Sequence, residues 1–193
     1  MIKLFENYNE IAHICQKYNI KNWSLNPDGS IDVVGDVNLN NNNLTKLPLK
    51  FGRVKGYFDF RFNKLINLDG APREVGNDFY CNSNKLTTLE GAPRDVAGSF
   101  YCDNNNLTTL EGCPREVGGD FYCKNNNNLP EYLIKFMELN GWSQLIIKQI
   151  VKWQDEYELW KDPEKFKGKF KWMMEDIQEN DLPDIKIKFP KDD

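Results

Sequence analysis

The sequence predicts an α/β fold: a solenoid of short parallel strands between an N-terminal helix–hairpin cap and a C-terminal α-helical subdomain. Three observations carry this. Val54, Val75, Val96 and Val117 recur at a step of 21 residues, and five more columns keep that step. Inside each unit the apolar residues alternate with period two and then change to a three-residue spacing, as when a chain leaves a strand. Outside residues 33–128 the step vanishes and helical periodicity replaces it. The expected division is therefore a cap over 1–32, repeats over 33–128 and a helical subdomain over 129–193.

In the first part, Leu4, Tyr8, Ile11, Cys15 and Tyr18 make one helical stripe flanked by Phe5, Ala12 and Ile14, so an amphipathic helix over 4–18 seals the first repeat. Trp23 to Leu25, the turn Asn26-Pro27-Asp28-Gly29 and Ser30 to Val33 read as a hairpin. The repeat columns follow: Phe58, Phe79, Phe100 and Phe121; Phe60, Cys81, Cys102 and Cys123; Asn63, Asn84, Asn105 and Asn126; Leu65, Leu86 and Leu107; Leu68, Leu89 and Leu110. A degenerate earlier copy holds Val33, Val37, Leu39, Asn42, Leu44 and Leu47, giving units 33–53, 54–74, 75–95 and 96–116 and a truncated fifth.

Each unit is expected to supply one strand of about three residues, stacked in register about 4.8 Å from the next, because one unit cannot bury its apolar side alone. The Asn column is expected to satisfy backbone groups where the chain turns. Gly70-Ala71-Pro72, Gly91-Ala92-Pro93 and Gly112-Cys113-Pro114 punctuate the return path.

Beyond Asn128, Pro130 marks the first turn of a helix that Gly141 ends. A second helix from Ser143 carries Leu145, Ile146, Ile150, Trp153 and Tyr157 on its apolar face. Asp162-Pro163 opens a third with Phe166, Phe170, Met173 and Ile177. Residues 184–189 alternate like a short strand, which Pro183 and Pro190 confine to an edge or an extended arm.

At these residues the chain resembles the leucine-rich-repeat family, whose pattern is L-x-x-L-x-L-x-x-N/C-x-L. Within it the likeness is to the short bacterial type. The phrases at 107–123 and 26–33 look like small repeat proteins of large tailed bacteriophages. Two departures stand out: the first consensus Leu would fall on Lys55, Gly76, Ala97 and Gly118, with Val one place earlier, and Asn128 occupies a Leu column. Some relatives in that family carry a C-terminal ligase domain with a nucleophilic Cys, but residues 129–193 contain no Cys.

Composition selects no partner by charge: Lys+Arg number 25 against Asp+Glu 29, for a formal net charge of -4. The absence of a long apolar run and of a secretory leader leads to the expectation of a cytoplasmic protein with reduced thiols. No phosphate-loop, dinucleotide, zincin or nucleophile-elbow motif occurs. His13, the sole histidine, falls opposite the apolar stripe of the first helix and is expected to face solvent. Cys81, Cys102 and Cys123 form the tempting constellation, but the column continues as Phe60 and Leu39 and has no His beside it. It reads as buried structure ahead of metal or a regulatory disulfide. No cofactor, metal or small-molecule substrate is expected.

If the Phe and Cys columns point inward, the residues between and beside them form the outer, concave face. Its central column is Asn38, Asp59, Tyr80, Tyr101 and Tyr122; before it run Asp36, Tyr57, Asp78, Ser99 and Asp120, and after it Asn40, Arg61, Asn82, Asp103 and Lys124. Tyrosine is enriched at interfaces. The expected partner-binding set is accordingly Tyr57, Asp59, Arg61, Asp78, Tyr80, Asn82, Tyr101, Asp103, Asp120, Tyr122 and Lys124, in a non-enzymatic protein-binding module. The resemblance implies a bacterial host protein, such as a defence or regulatory protein, as partner. The alternative is a nucleic-acid-associated protein acting through 160–172, where five Lys interleave four aromatics. Against it, residues 129–193 hold 11 Lys and 14 acids. A hydrolase or transferase in the helical part is a third, more distant reading, and membrane binding is not expected.

Overall fold

The structure is a computed structural model that describes residues 2–191, with side chains from Tyr8 to Lys191. Helix α1 (Ile2–Lys17) leads into the antiparallel hairpin β1 (Trp23–Leu25) and β2 (Ile31–Val33). Nine further strands follow among the described residues: β3 (Val37–Asn38), β4 (Phe51–Val54), β5 (Phe58–Asp59), β6 (Glu74–Val75), β7 (Phe79–Tyr80), β8 (Asp95–Val96), β9 (Phe100–Tyr101), β10 (Glu116–Val117) and β11 (Phe121–Tyr122). Helices α2 (Glu131–Leu139), α3 (Gln144–Trp153) and α4 (Phe166–Asn180), the last preceded by a 3-10 turn at Pro163–Lys165, complete the chain.

Each repeat contributes two strands, where one was expected. The Val column builds a sheet of its own, in the order β1-β2-β4-β6-β8-β10, and the Phe column builds the other, β11-β9-β7-β5-β3. All neighbours are parallel apart from the β1–β2 hairpin, and the pairing is in step, Phe58↔Phe79↔Phe100↔Phe121 and Val54↔Val75↔Val96↔Val117. The valine column thus faces the same core from a second wall.

Between the walls the phenyl rings pile up: Phe58–Phe79 at 5.8 Å, Phe79–Phe100 at 5.2 Å and Phe100–Phe121 at 5.1 Å, all within 24° of parallel. The Cys and Leu columns fill the rest and are buried.

The Asn column does what the sequence suggests. Asn84 Nδ2 donates to Phe60 O of the preceding unit at 3.1 Å and to Cys81 O of its own at 3.2 Å, while its Oδ1 accepts from Leu65 N at 3.0 Å. Asn63, Asn105 and Asn126 repeat the pattern. Asn42, in the degenerate first unit, is exposed and bonds Asn40 O instead, since no unit precedes it. One position before the ladder the backbone is left-handed in every unit, at Asn41, Phe62, Ser83, Asn104 and Asn125. After glycine, Asn is among the residues that tolerate that conformation best, and Phe62 is the uncommon occupant. Gly112, at φ 80°, has no alternative: a Cβ there would lie 2.6 Å from Glu90 N.

At the N-terminal end Ile11 and Cys15 are buried under α1, Tyr8 packs on Trp23 at 5.2 Å, and His13 is exposed as expected. The parts of the expected stripe at Leu4 and Phe5 lie outside the described side chains. Tyr18 falls past the end of α1 but packs on the core.

The C-terminal helices differ from expectation in detail. Pro130 is the N-cap of α2 and Asn140 its C-cap, with Gly141 just beyond at φ 64°. Leu145 is 56% exposed, because the buried face of α3 is Ile146, Ile147, Ile150 and Val151. Tyr157 lies beyond the end of α3 and bonds Asp176. The third helix buries Phe166, Phe170, Met173 and Ile177 as predicted. Residues 184–189 form no strand; the arm is held by Asn140, whose Nδ2 donates to Lys188 O and whose Oδ1 accepts from Lys188 N, at 2.8 and 2.9 Å.

Candidate partner-binding face

Strands β5, β7, β9 and β11 turn Phe inward, so the next residue of each turns outward. Tyr80, Tyr101 and Tyr122 therefore share one row, half-buried, with ring centroids 4.6 and 4.7 Å apart and planes within 14°. Arg61 lies over the far ring of the row, 4.8 Å from the Tyr80 centroid, and Tyr57 meets that ring edge-on at 6.4 Å. A guanidinium over a phenol face is attractive electrostatically.

The neighbouring columns position this row more than they extend it. Tyr80 Oη donates to Asp78 Oδ2 at 2.7 Å and Tyr122 Oη to Asp120 Oδ2 at 2.9 Å. Tyr101 has Ser99 at the corresponding place. Asp78 Oδ1 also accepts from Ser99 N at 2.7 Å, and Ser99 Oγ accepts from Asp120 N at 3.0 Å, so this column ties successive units together. Burial, then the Asp78 carboxylate, pushes the Tyr80 phenol up to about 12; the hydrogen bond to Asp120 comes first in raising that of Tyr122. Both phenols are neutral donors at ordinary pH.

One predicted site residue is misplaced. Asp59 belongs by register to the tyrosine column, yet it is only 2% exposed. Arg61 Nε covers it at 3.1 Å, and its oxygens also accept from Asn40 Nδ2 and Arg61 N. Where the three later units have a broad phenol, the short carboxylate sinks beneath its neighbours and holds the arginine that stacks on Tyr80. In the third column Asp103 is half-buried and burial raises its carboxyl. Asn82 Oδ1 is buried with no hydrogen-bond partner among the described residues, and Lys124 is exposed with Nζ 5.9 Å from the Trp142 ring.

A second recess lies away from this row. A groove of about 990 Å³ crosses the outer side of the Val-column sheet, from Arg53 through Glu74, Asp95 and Glu116 to Lys148 and Lys152 of α3. It escaped the sequence reading because the Val column was not recognised as a strand. The Arg-Glu-Val and Arg-Asp-Val phrases at 73–75, 94–96 and 115–117 were the available signal.

Segment 160–172 spends its aromatics on the core. Phe166 and Phe170 are buried, and Trp160 stacks on Phe166 and donates to Gln154. Trp172 alone stands out, at 70% exposure. Lys161 and Lys165 pair with Glu158 and Asp162.

No group of His, Cys, Asp and Glu among the described residues is arranged to hold a metal ion. All five cysteines are free and buried, and burial raises the thiols of Cys81, Cys102, Cys113 and Cys123, the last two to about 12. A thiolate is the reactive form. The native chain is therefore expected to leave a thiol-specific chromogenic disulfide unconsumed over minutes, with all 5 cysteines reacting once it is unfolded. Fast reaction of two or more in the native chain would contradict the buried column.

No described helix is long and apolar enough to cross a membrane. No family model, curated protein or solved structure matches the chain.

Proposed function

We propose that the chain is a non-enzymatic protein-interaction module of the leucine-rich-repeat kind, which captures a protein partner on the Tyr80–Tyr101–Tyr122 face. The observation that supports this reading is the parallel stack itself: three half-buried phenol rings held side by side, with Arg61 over one end and two hydroxyls tied to acids. A row fixed by its own scaffold loses little further entropy on binding. Large aromatic surface with a polar rim is what interface cores use. The resemblance to small phage repeat proteins supports a bacterial host protein as partner, one blocked or redirected by capture, in a cytoplasm. The burial of Phe166 and Phe170 removes most of the stacking surface that nucleic-acid binding through 160–172 would need.

Replacing Tyr80, Tyr101 and Tyr122 together by alanine is expected to abolish capture of a defined partner from bacterial lysate, while far-ultraviolet circular dichroism stays unchanged. The triple phenylalanine variant, which keeps the stack and loses the hydroxyls, is expected to retain part of it. Undiminished capture by the alanine variant would remove the tyrosine face from the function.

A further inference from the structure

The two sheets end differently at the C-terminal end of the stack. The Phe-column sheet is closed there: α3 packs on β11, and the Phe121 N–H donates to Gln144 Oε1 at 2.7 Å, where the Phe of each earlier unit donates to a backbone carbonyl of the next unit. The Val-column sheet simply stops at β10.

What β10 lacks is shown by β6. The phrase Pro72-Arg73-Glu74-Val75-Gly76 recurs unchanged as Pro114-Arg115-Glu116-Val117-Gly118. On the first copy sits β8, with Arg94 N–H donating to Arg73 O at 2.9 Å and Ala97 N–H to Val75 O at 3.0 Å. On the second copy Arg115 O and Val117 O accept no bond from the described residues, and the groove wall of Lys148, Gln149 and Val151 stands beyond. Val75 and Val96 are 3% and 2% exposed, whereas Val117 is only half-buried. In the same wall Gln149 Oε1 is buried without a hydrogen-bond partner among the described residues.

We infer that the β10 edge is a docking site for an extended segment of a partner protein, added in parallel as one more strand of this sheet. The chemistry of the segment is that of β8. It offers two backbone N–H groups, spaced as in Arg94 and Ala97, to Arg115 O and Val117 O, and a carbonyl to the Val117 N–H. A small branched apolar side chain covers Val117 as Val96 covers Val75. Lys148, which lines the groove, favours an acid on that side. This site lies on the other sheet from the tyrosine row and stands independently of it.

The test uses the full isotope-labelled chain and a synthetic peptide of its own residues 92–99, blocked at both ends. Without peptide, the Val117 amide is expected to exchange with solvent at least about a hundredfold faster than the Val75 amide. Peptide should slow the Val117 exchange about tenfold or more and shift the Arg115, Val117 and Gly118 resonances saturably. A peptide N-methylated at the alanine equivalent to Ala97 should bind at least about tenfold more weakly, because it lacks the donor for Val117 O. The Tyr80→Ala, Tyr101→Ala, Tyr122→Ala chain should bind the unmodified peptide as well as the parent does.

Equal protection of Val75 and Val117 in the free chain, no saturable shift, or equal binding of the N-methylated peptide would each overturn the inference. So would protection of Val117 that rises with protein concentration alone, which would assign the edge to a second copy of this chain.

Discussion

Asn105→Ala is expected to destabilise the fold by about 3 kcal/mol or more, since it strands three buried backbone groups at about 1–3 kcal/mol each. Asn105 Nδ2 donates to Cys81 O and Cys102 O, both at 3.1 Å, and its Oδ1 accepts from Leu86 N at 3.0 Å. The side chain therefore joins two successive units and the turn between them, in an interior walled by Cys and Leu. Asn105→Asp should be comparably damaging, although it is nearly isosteric: a carboxylate keeps the acceptor for Leu86 N but turns oxygens toward two carbonyls. Urea unfolding of parent and variants measures both. A loss under about 1 kcal/mol for the alanine variant would mean that water or backbone movement replaces all three bonds, and the ladder would not be a principal restraint.

Phe100→Ala is the second large effect, expected at about 3–5 kcal/mol. Its ring lies between Phe79 and Phe121 at 5.2 and 5.1 Å and is fully buried, so truncation opens a void in the middle of the pile. In a solenoid each unit touches chiefly its neighbours, and stability is close to a sum of unit and interface contributions. A gap at β9, the third strand to carry a Phe of the column, should therefore loosen the link between the N-terminal units and the part closed by α3. The expected signature is a lower urea midpoint with a shallower or split transition, since the two sides no longer unfold together. A single transition of unchanged slope, shifted by less than about 1 kcal/mol, would show that the ring pile is not a continuous core.

These two columns were legible because a strict repeat converts position into environment. Once Phe79 faces the core, Phe58, Phe100 and Phe121 must do so too, and the Asn that follows each strand meets the same unsatisfied backbone every time. Asp59 shows where the inference fails. By register it belongs with Tyr80, but a shorter side chain beside Arg61 and Asn40 finds charge and hydrogen bonds below the surface, and register carries no information about reach. Leu145 fails for a related reason: two apolar stripes on α3 were possible, and the one that packs is selected by the neighbouring elements, not by the helix itself.

The 21-residue period by itself determined that the chain stacks, which side chains pile inward and that tyrosines stand in a row outside, because in-register parallel stacking copies one unit's environment into the next. Only the tertiary structure decided that the Val column is a second sheet, that Gln144 closes one sheet while β10 leaves the other open, and that Asp59 is covered. Those outcomes depend on contacts between distant segments and on the lengths of particular side chains, and neither is written in a repeat.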